Sequence, residues 1–237
     1  MKAKVKTRGQ ARLPKPMSAL LMALALVSHA SDTLSIDFAK FHAAVPPAVP
    51  QASSERLARW EALLARAYAP EVLDALDQIN GFAHSNLRYE LDIANYGESD
   101  YWATPLQTLI RGTGDCEDWA ILQYISLRYL GVPEEHLRLI YVKATVTNNG
   151  VREQVAHMVL GYYGASSRDP LIIDSLTSTI KPASERKDLK PVFGFNASDV
   201  FAGAGPQGEK KFPNAMSRIS RLRDIMLRME EQGITIK

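Results

Sequence analysis

Apolar positions recur with a helical period in the first half of the chain and a β period in the second. From Ser54, the residues Leu57, Trp60, Leu63 and Leu64 fall at three- and four-residue intervals, which predicts an amphipathic helix. Pro70 suits the first turn of a second helix, whose face is Val72, Leu73, Leu76 and Ile79. Residues 84–105 are polar and aromatic and read as loop or short elements ending at Trp102-Ala103-Thr104-Pro105. A short helix over Leu106–Ile110 stops at Gly112, and a longer one runs from Cys116 to about Tyr129. Trp119, Ala120, Ile121, Leu122, Tyr124, Ile125 and Leu127 cover most of its circumference, so burial nearly all round is expected.

Gly131 and Pro133 end that helix, and the period then changes to two. Leu137–Val146 and Glu153–Tyr163 read as strands joined by the turn residues Asn148-Asn149-Gly150. A third strand, Leu171–Asp174, follows a turn over Ser166–Pro170. Residues 181–212 look irregular, and Pro213–Gln232 closes the chain as a charged amphipathic helix. Helices followed by an antiparallel sheet predict an α+β domain. The proline-rich stretch 43–50 cannot hold a helix, so 31–53 reads as a tether and 54–237 as the domain.

Residues 1–30 read as a secretory leader. Lys2, Lys4, Lys6, Arg8, Arg12 and Lys15 form a basic region, Ser18 to Val27 an apolar one, and Ser28-His29-Ala30 a small-x-small cleavage site. The apolar run is too short, at about 1.5 Å per residue, to cross about 30 Å of hydrocarbon, which leaves an uncleaved anchor as the lesser alternative. The expectation is therefore an exported, soluble mature protein. The whole chain carries 28 basic and 26 acidic residues; without the six leader bases it is mildly acidic, net −4. That balance excludes the electrostatic footprint of a nucleic-acid binder.

Export brings the single cysteine, Cys116, into an oxidising compartment with no partner for a disulfide. It stands where a glycine-punctuated loop, Gly112-Thr113-Gly114-Asp115, enters a helix, and the first turn of a helix favours a thiolate. A nucleophilic thiol needs a base and a group that orients the base. His157 stands alone in an apolar strand, on the face of Val155 and Val159, and Asp174 ends the next strand. Each residue alone has an ordinary structural reading, a satisfied core histidine and a strand-end acid; jointly with the lone thiol they favour a catalytic triad. Asp115, Glu117 and Asp118 crowd the thiol and oppose its ionisation. They are equally consistent with a site for a hard divalent cation and with plain capping of the helix start.

The segments Asp100-Tyr101-Trp102-Ala103-Thr104-Pro105, Gly112-Thr113-Gly114-Asp115-Cys116-Glu117-Asp118 and His157-Met158-Val159-Leu160 resemble the bacterial transglutaminase-like cysteine proteinases over residues 54–201. The likeness is strongest to the branch of that family that releases large biofilm adhesins from the outer membrane. The resemblance implies a papain-like fold, Cys116 as nucleophile, His157 as general base and acid, and Asp174 as the orienting carboxylate. It also implies calcium held by Asp115, Glu117 and Asp118, and gives Trp102 the oxyanion-donor role a tryptophan has in transglutaminases, against its plainer reading as a core anchor. A periplasmic location is implied as well. So are a repeat-containing surface adhesin, cut at paired alanines near its N-terminus, and an inner-membrane cyclic-di-GMP receptor that sequesters the protease. Transglutaminase-type acyl transfer and a non-catalytic calcium-binding adaptor are the competing functions.

Overall fold

The computed structural model describes residues 34–66, 71–164, 169–202 and 210–236. The expected leader, and most of the turn expected over Ser166–Pro170, lie outside them. In chain order the elements are β1 (Leu34–Ile36), α1 (Phe38–Ala43), α2 (Gln51–Arg66), α3 (Val72–Asn86), β2 (Arg88–Tyr89), α4 (Asp92–Asn95), α5 (Pro105–Arg111), β3 (Thr113–Gly114) and α6 (Cys116–Tyr129). The second half comprises β4 (Leu137–Asn148), β5 (Val151–Tyr162), β6 (Leu171–Asp174), β7 (Thr177–Pro182), β8 (Leu189–Phe195), β9 (Asp199–Ala202), β10 (Lys210–Pro213), α7 (Ala215–Arg218), α8 (Ser220–Glu231) and β11 (Ile234–Ile236). The α+β class is as expected.

Seven strands form one antiparallel sheet in the order β10-β9-β8-β4-β5-β6-β7. Its centre is the β4–β5 hairpin, which turns at Asn149 and Gly150 with φ of 50° and 81°, the left-handed pair that a two-residue turn between twisted strands requires. Helix α6 packs against β5 and, as its composition demands, is buried almost all round. Trp60 of α2 crosses to it and donates to Ser126 Oγ at 2.9 Å. The core between helices and sheet includes Trp60, Trp102, Phe41, Phe195 and Leu127, all fully buried. A smaller cluster, Ile140, Val142, Val159 and Ile172, occupies the other face of the sheet, with Ala183 and Leu189 packed against it.

Several expectations are corrected. The segment read as a tether, 31–53, carries folded structure from residue 34: Leu34 and Phe41 are buried, and β1 pairs with β11, Leu34 opposite Ile236. Among its described residues the proline-rich piece after Ala43 is irregular, before α2 opens at Gln51, earlier than Ser54. The stretch 181–212, read as irregular, supplies β8, β9 and the start of β10. Pro191 and Gly194 break its alternation, and a bulge in the β4–β8 pairing between Tyr141 and Val142 absorbs the irregularity. Pro213 accordingly ends a strand and does not open a helix.

Candidate active site

Cys116 is the first residue of α6, buried, with Asp115 at the cap position; its side chain makes no capping bond, against the plain-capping reading. Its thiol donates to Glu117 Oε2 at 2.8 Å, and the Met158 backbone N–H is directed at the sulfur. The helix start thus abuts β5 one residue beyond His157. Burial, and next the carboxylate of Glu117, push the thiol well above the ordinary cysteine range; the Met158 N–H works the other way. The helix-start position therefore does not yield the low-pKa thiol that the dipole alone would give.

His157 is buried, and its Nε2 donates to Asp174 Oδ1 at 2.7 Å. With Nε2 donating to the carboxylate, Nδ1 is the ring nitrogen that can accept a proton. Asp174 is gripped from several sides: Arg186 Nη2 donates to Oδ2 at 2.6 Å, the Leu176 N–H to Oδ1 at 2.9 Å, and His84 Nε2 to the Asp174 carbonyl at 3.1 Å. Burial raises the Asp174 pKa, but the bonds from His157, Leu176 and Arg186 outweigh it and hold the carboxyl below its usual range. The structure thus joins His157 to Asp174, while the Cys116 thiol is turned to Glu117 and not to the imidazole.

Around the thiol lies a larger acidic cluster than the motif suggested. Asp92, Asp115 and Asp118 bring carboxylate oxygens within 4.8 Å of one another, as do Asp92, Asp100 and Glu117. Asp118 Oδ1 accepts from the Ala103 N–H at 2.7 Å, tying the Trp102 segment to α6. Gly114 makes room for this carboxylate, since a Cβ there would lie 2.7 Å from the Asp118 Cβ. Asp92 Oδ1, Asp100 Oδ1, Asp115 Oδ1 and Asp118 Oδ2 are buried without a hydrogen-bond partner. Burial, reinforced by Glu117 and its acidic neighbours, pushes the Asp115 pKa up to about 9; burial raises Asp118 to about 8. Buried carboxylate oxygens without donors fit a hard cation, which takes oxygen ligands.

Trp102 is buried and stacked on Phe195, centroids 5.7 Å apart, and its indole Nε1 has no acceptor. Arg228 of α8 clamps this segment, donating to the Trp102 carbonyl at 2.6 Å and to Tyr101 Oη and Gln107 Oε1 at 3.0 Å. The anchor reading of Trp102 and a free donor N–H coexist in one side chain.

The sequence did not point to Asp92, Arg186, Arg228 or Tyr89, whose hydroxyl lies beside the sulfur, and Asp100 entered only within the Tyr101-Trp102 motif, not as a site residue. The acid content of 84–105 was the available signal for Asp92 and Asp100; nothing local marks Arg186 or Arg228.

Comparison with known proteins gives a consistent picture. Residues 52–187, more than half of the chain, match the family model of the bacterial transglutaminase-like cysteine proteinases. Legionella pneumophila LapG superposes with a TM-score of 0.64 at 33% identity, covering 76% of this chain and 91% of that one. An EGTA-treated form of the same protein gives 0.65 at 33%, covering 76% and 91%. Its calcium-bound form gives 0.64 at 34%, covering 76% and 92%. No curated protein matches. With its α+β architecture and a thiol at the start of a helix packed on an antiparallel sheet, the chain belongs to the bacterial transglutaminase-like cysteine proteinases.

Proposed function

We propose that this protein is a calcium-dependent cysteine endopeptidase of the periplasm that cuts a large surface adhesin near its N-terminus, freeing it from the cell and promoting biofilm dispersal. The observation that carries the reading is the Met158 N–H directed at the Cys116 sulfur, one residue from a histidine already paired with Asp174. The proposal requires the thiol to turn from Glu117 and give its proton to the imidazole Nδ1.

In the proposed reaction, the sulfur attacks the scissile carbonyl carbon while His157 takes the thiol proton. His157 passes that proton to the amide nitrogen as the C–N bond breaks, releasing the new amino terminus and leaving a thioester on Cys116. Water then attacks the thioester, His157 accepts its proton, and the C–S bond breaks to free the acid and restore the thiol. Asp174 fixes the imidazole tautomer and stabilises the imidazolium, and Arg186 keeps Asp174 ionised. The Cys116 N–H and Trp102 Nε1–H are the proposed oxyanion donors.

Asp115, Glu117 and Asp118, with Asp92 and Asp100, would hold the calcium ion, whose charge offsets the acids that otherwise keep the thiol protonated. The calcium-bound form of the Legionella relative supports this assignment. An inner-membrane cyclic-di-GMP receptor is the proposed inhibitory partner. The test is incubation of the full chain with an N-terminal fragment of the host's largest surface adhesin, with calcium and with chelator. Cleavage that needs calcium and Cys116 is expected; an intact fragment in calcium sinks the reading.

A further inference from the structure

The turn at Asn149 and Gly150 is closed by Asn148 opposite Val151. A two-residue turn makes its closing pair a hydrogen-bonded one, and every second pair along the ladder follows. Val151, Glu153, Val155 and His157 therefore bond to β4, whereas Arg152, Gln154, Ala156 and Met158 turn N–H and C=O outward. The pairing with β6 fixes the same parity: Leu160 and Tyr162 lie opposite Ile173 and Leu171.

Strand β6 pairs with β5 only as far back as Leu160, so among the described residues no strand takes the outward groups of Arg152, Gln154 and Ala156. All three residues are exposed. Sheet edges of this kind are templates for another strand. This edge ends at the sulfur: from Arg152 to Met158 is about 20 Å at about 3.4 Å per residue.

Resting on the endopeptidase reading, we propose that the free edge of β5 is the docking strand for the substrate. An extended substrate segment adds beside Arg152, Gln154 and Ala156, and this pairing carries the scissile carbonyl to Cys116. Main-chain bonds supply the affinity, so the substrate needs backbone N–H groups at alternate residues more than a long side-chain signature. Gln154 and Ala156 of this edge also line a hollow that runs over the sheet to Tyr141 and Lys143 of β4 and Val192 and Phe193 of β8.

The test uses the full chain with calcium and a quenched fluorescent peptide built around an Ala-Ala pair and extended on both sides. N-methylation is scanned along its backbone. On one side of the scissile bond, N-methyl groups at alternate residues should lower kcat/KM by about tenfold each, the equivalent of one hydrogen bond, and those between them hardly at all. Gln154→Pro, which removes an outward N–H and leaves the β4 ladder intact, should lower kcat/KM similarly. Its alkylation of Cys116 by iodoacetamide should be unchanged. Cleavage with no two-residue alternation on either side overturns the docking strand and leaves the endopeptidase standing. So does an unaltered kcat/KM in Gln154→Pro. A peptide left uncut by the wild-type chain overturns both.

Discussion

Arg186 holds one oxygen of Asp174 at 2.6 Å while His157 holds the other at 2.7 Å, so a single buried carboxylate joins a permanent cation to the ring proposed to gain and lose a proton. The guanidinium lies in the segment that closes the far face of the sheet, bonded also to Asp188 at 2.7 Å. Removing one partner of a buried pair leaves the other charge stranded, at a cost of about 3–5 kcal/mol. Arg186→Met should therefore lower the melting temperature and reduce kcat more than KM.

The same variant has a pH signature. Asp174 is held below its ordinary value of 3.8, so the stability it contributes is present above that value and is lost as pH falls through the folded pKa. Without Arg186 the folded pKa rises, and acid unfolding should begin at a higher pH. Thermal melts between neutral pH and pH 3 check this; superimposable acid limbs would refute the role of the guanidinium.

Cys116→Ala and His157→Ala should each abolish cleavage, by about a thousandfold or more, while leaving the melt near wild type for the alanine that replaces the thiol. Product masses separate the candidate reactions. New free termini signify hydrolysis, an isopeptide mass signifies acyl transfer, and a chain that binds calcium without changing any substrate is the adaptor.

Chelation should act through Asp115 and Asp118, whose pKa values near 9 and 8 lie far above the unfolded value of 3.8. Between those limits the metal-free folded state binds more protons than the unfolded one. Its stability is full below about pH 4 and drains away as pH rises through 8 to 9. In chelator the melting temperature should fall as pH is raised from 5 to 9, and the increment restored by calcium should grow over the same range. Melts in chelator and in calcium that run parallel across pH would remove the metal from this cluster.

Thiol reactivity gives an independent reading of the same charges. With Glu117 accepting from the thiol and burial opposing ionisation, iodoacetamide should label Cys116 slowly in chelator and several-fold faster in calcium. Glu117→Gln should label faster than wild type in chelator, because the first carboxylate neighbour of the sulfur loses its charge. Labelling at one rate in all these conditions would contradict the account.

Arg228→Ala should loosen the Trp102 segment, since three of the bonds that position it come from this side chain. A fall in kcat with little change in KM is expected if the indole serves the oxyanion, and tryptophan fluorescence should report the altered packing.

Much of the candidate site is legible in the chain because its residues sit on strongly periodic elements. Cys116 opens a helix with clear start and stop signals, and His157 and Asp174 interrupt apolar strands, where a polar residue has to find a partner. The acids Asp92 and Asp100 sit where no period guides the eye, and their partners come from folding and not from spacing. Arg186 becomes part of the site only through the tertiary closure of the sheet. The sheet was under-read for a related reason. Strand β8 gains its partner from the middle of the chain and tolerates Pro191 through a bulge, and β1 finds its partner at the far terminus, which no local pattern announces.

The pairing of β1 with β11 and the grip of Arg228 on the Trp102 carbonyl impose an order of assembly. A growing chain holds Cys116, His157 and Asp174 before it holds Arg228, which braces the Trp102 segment. That segment is held in place only once α8 has been made, so shorter nascent chains carry the thiol and the imidazole without this brace.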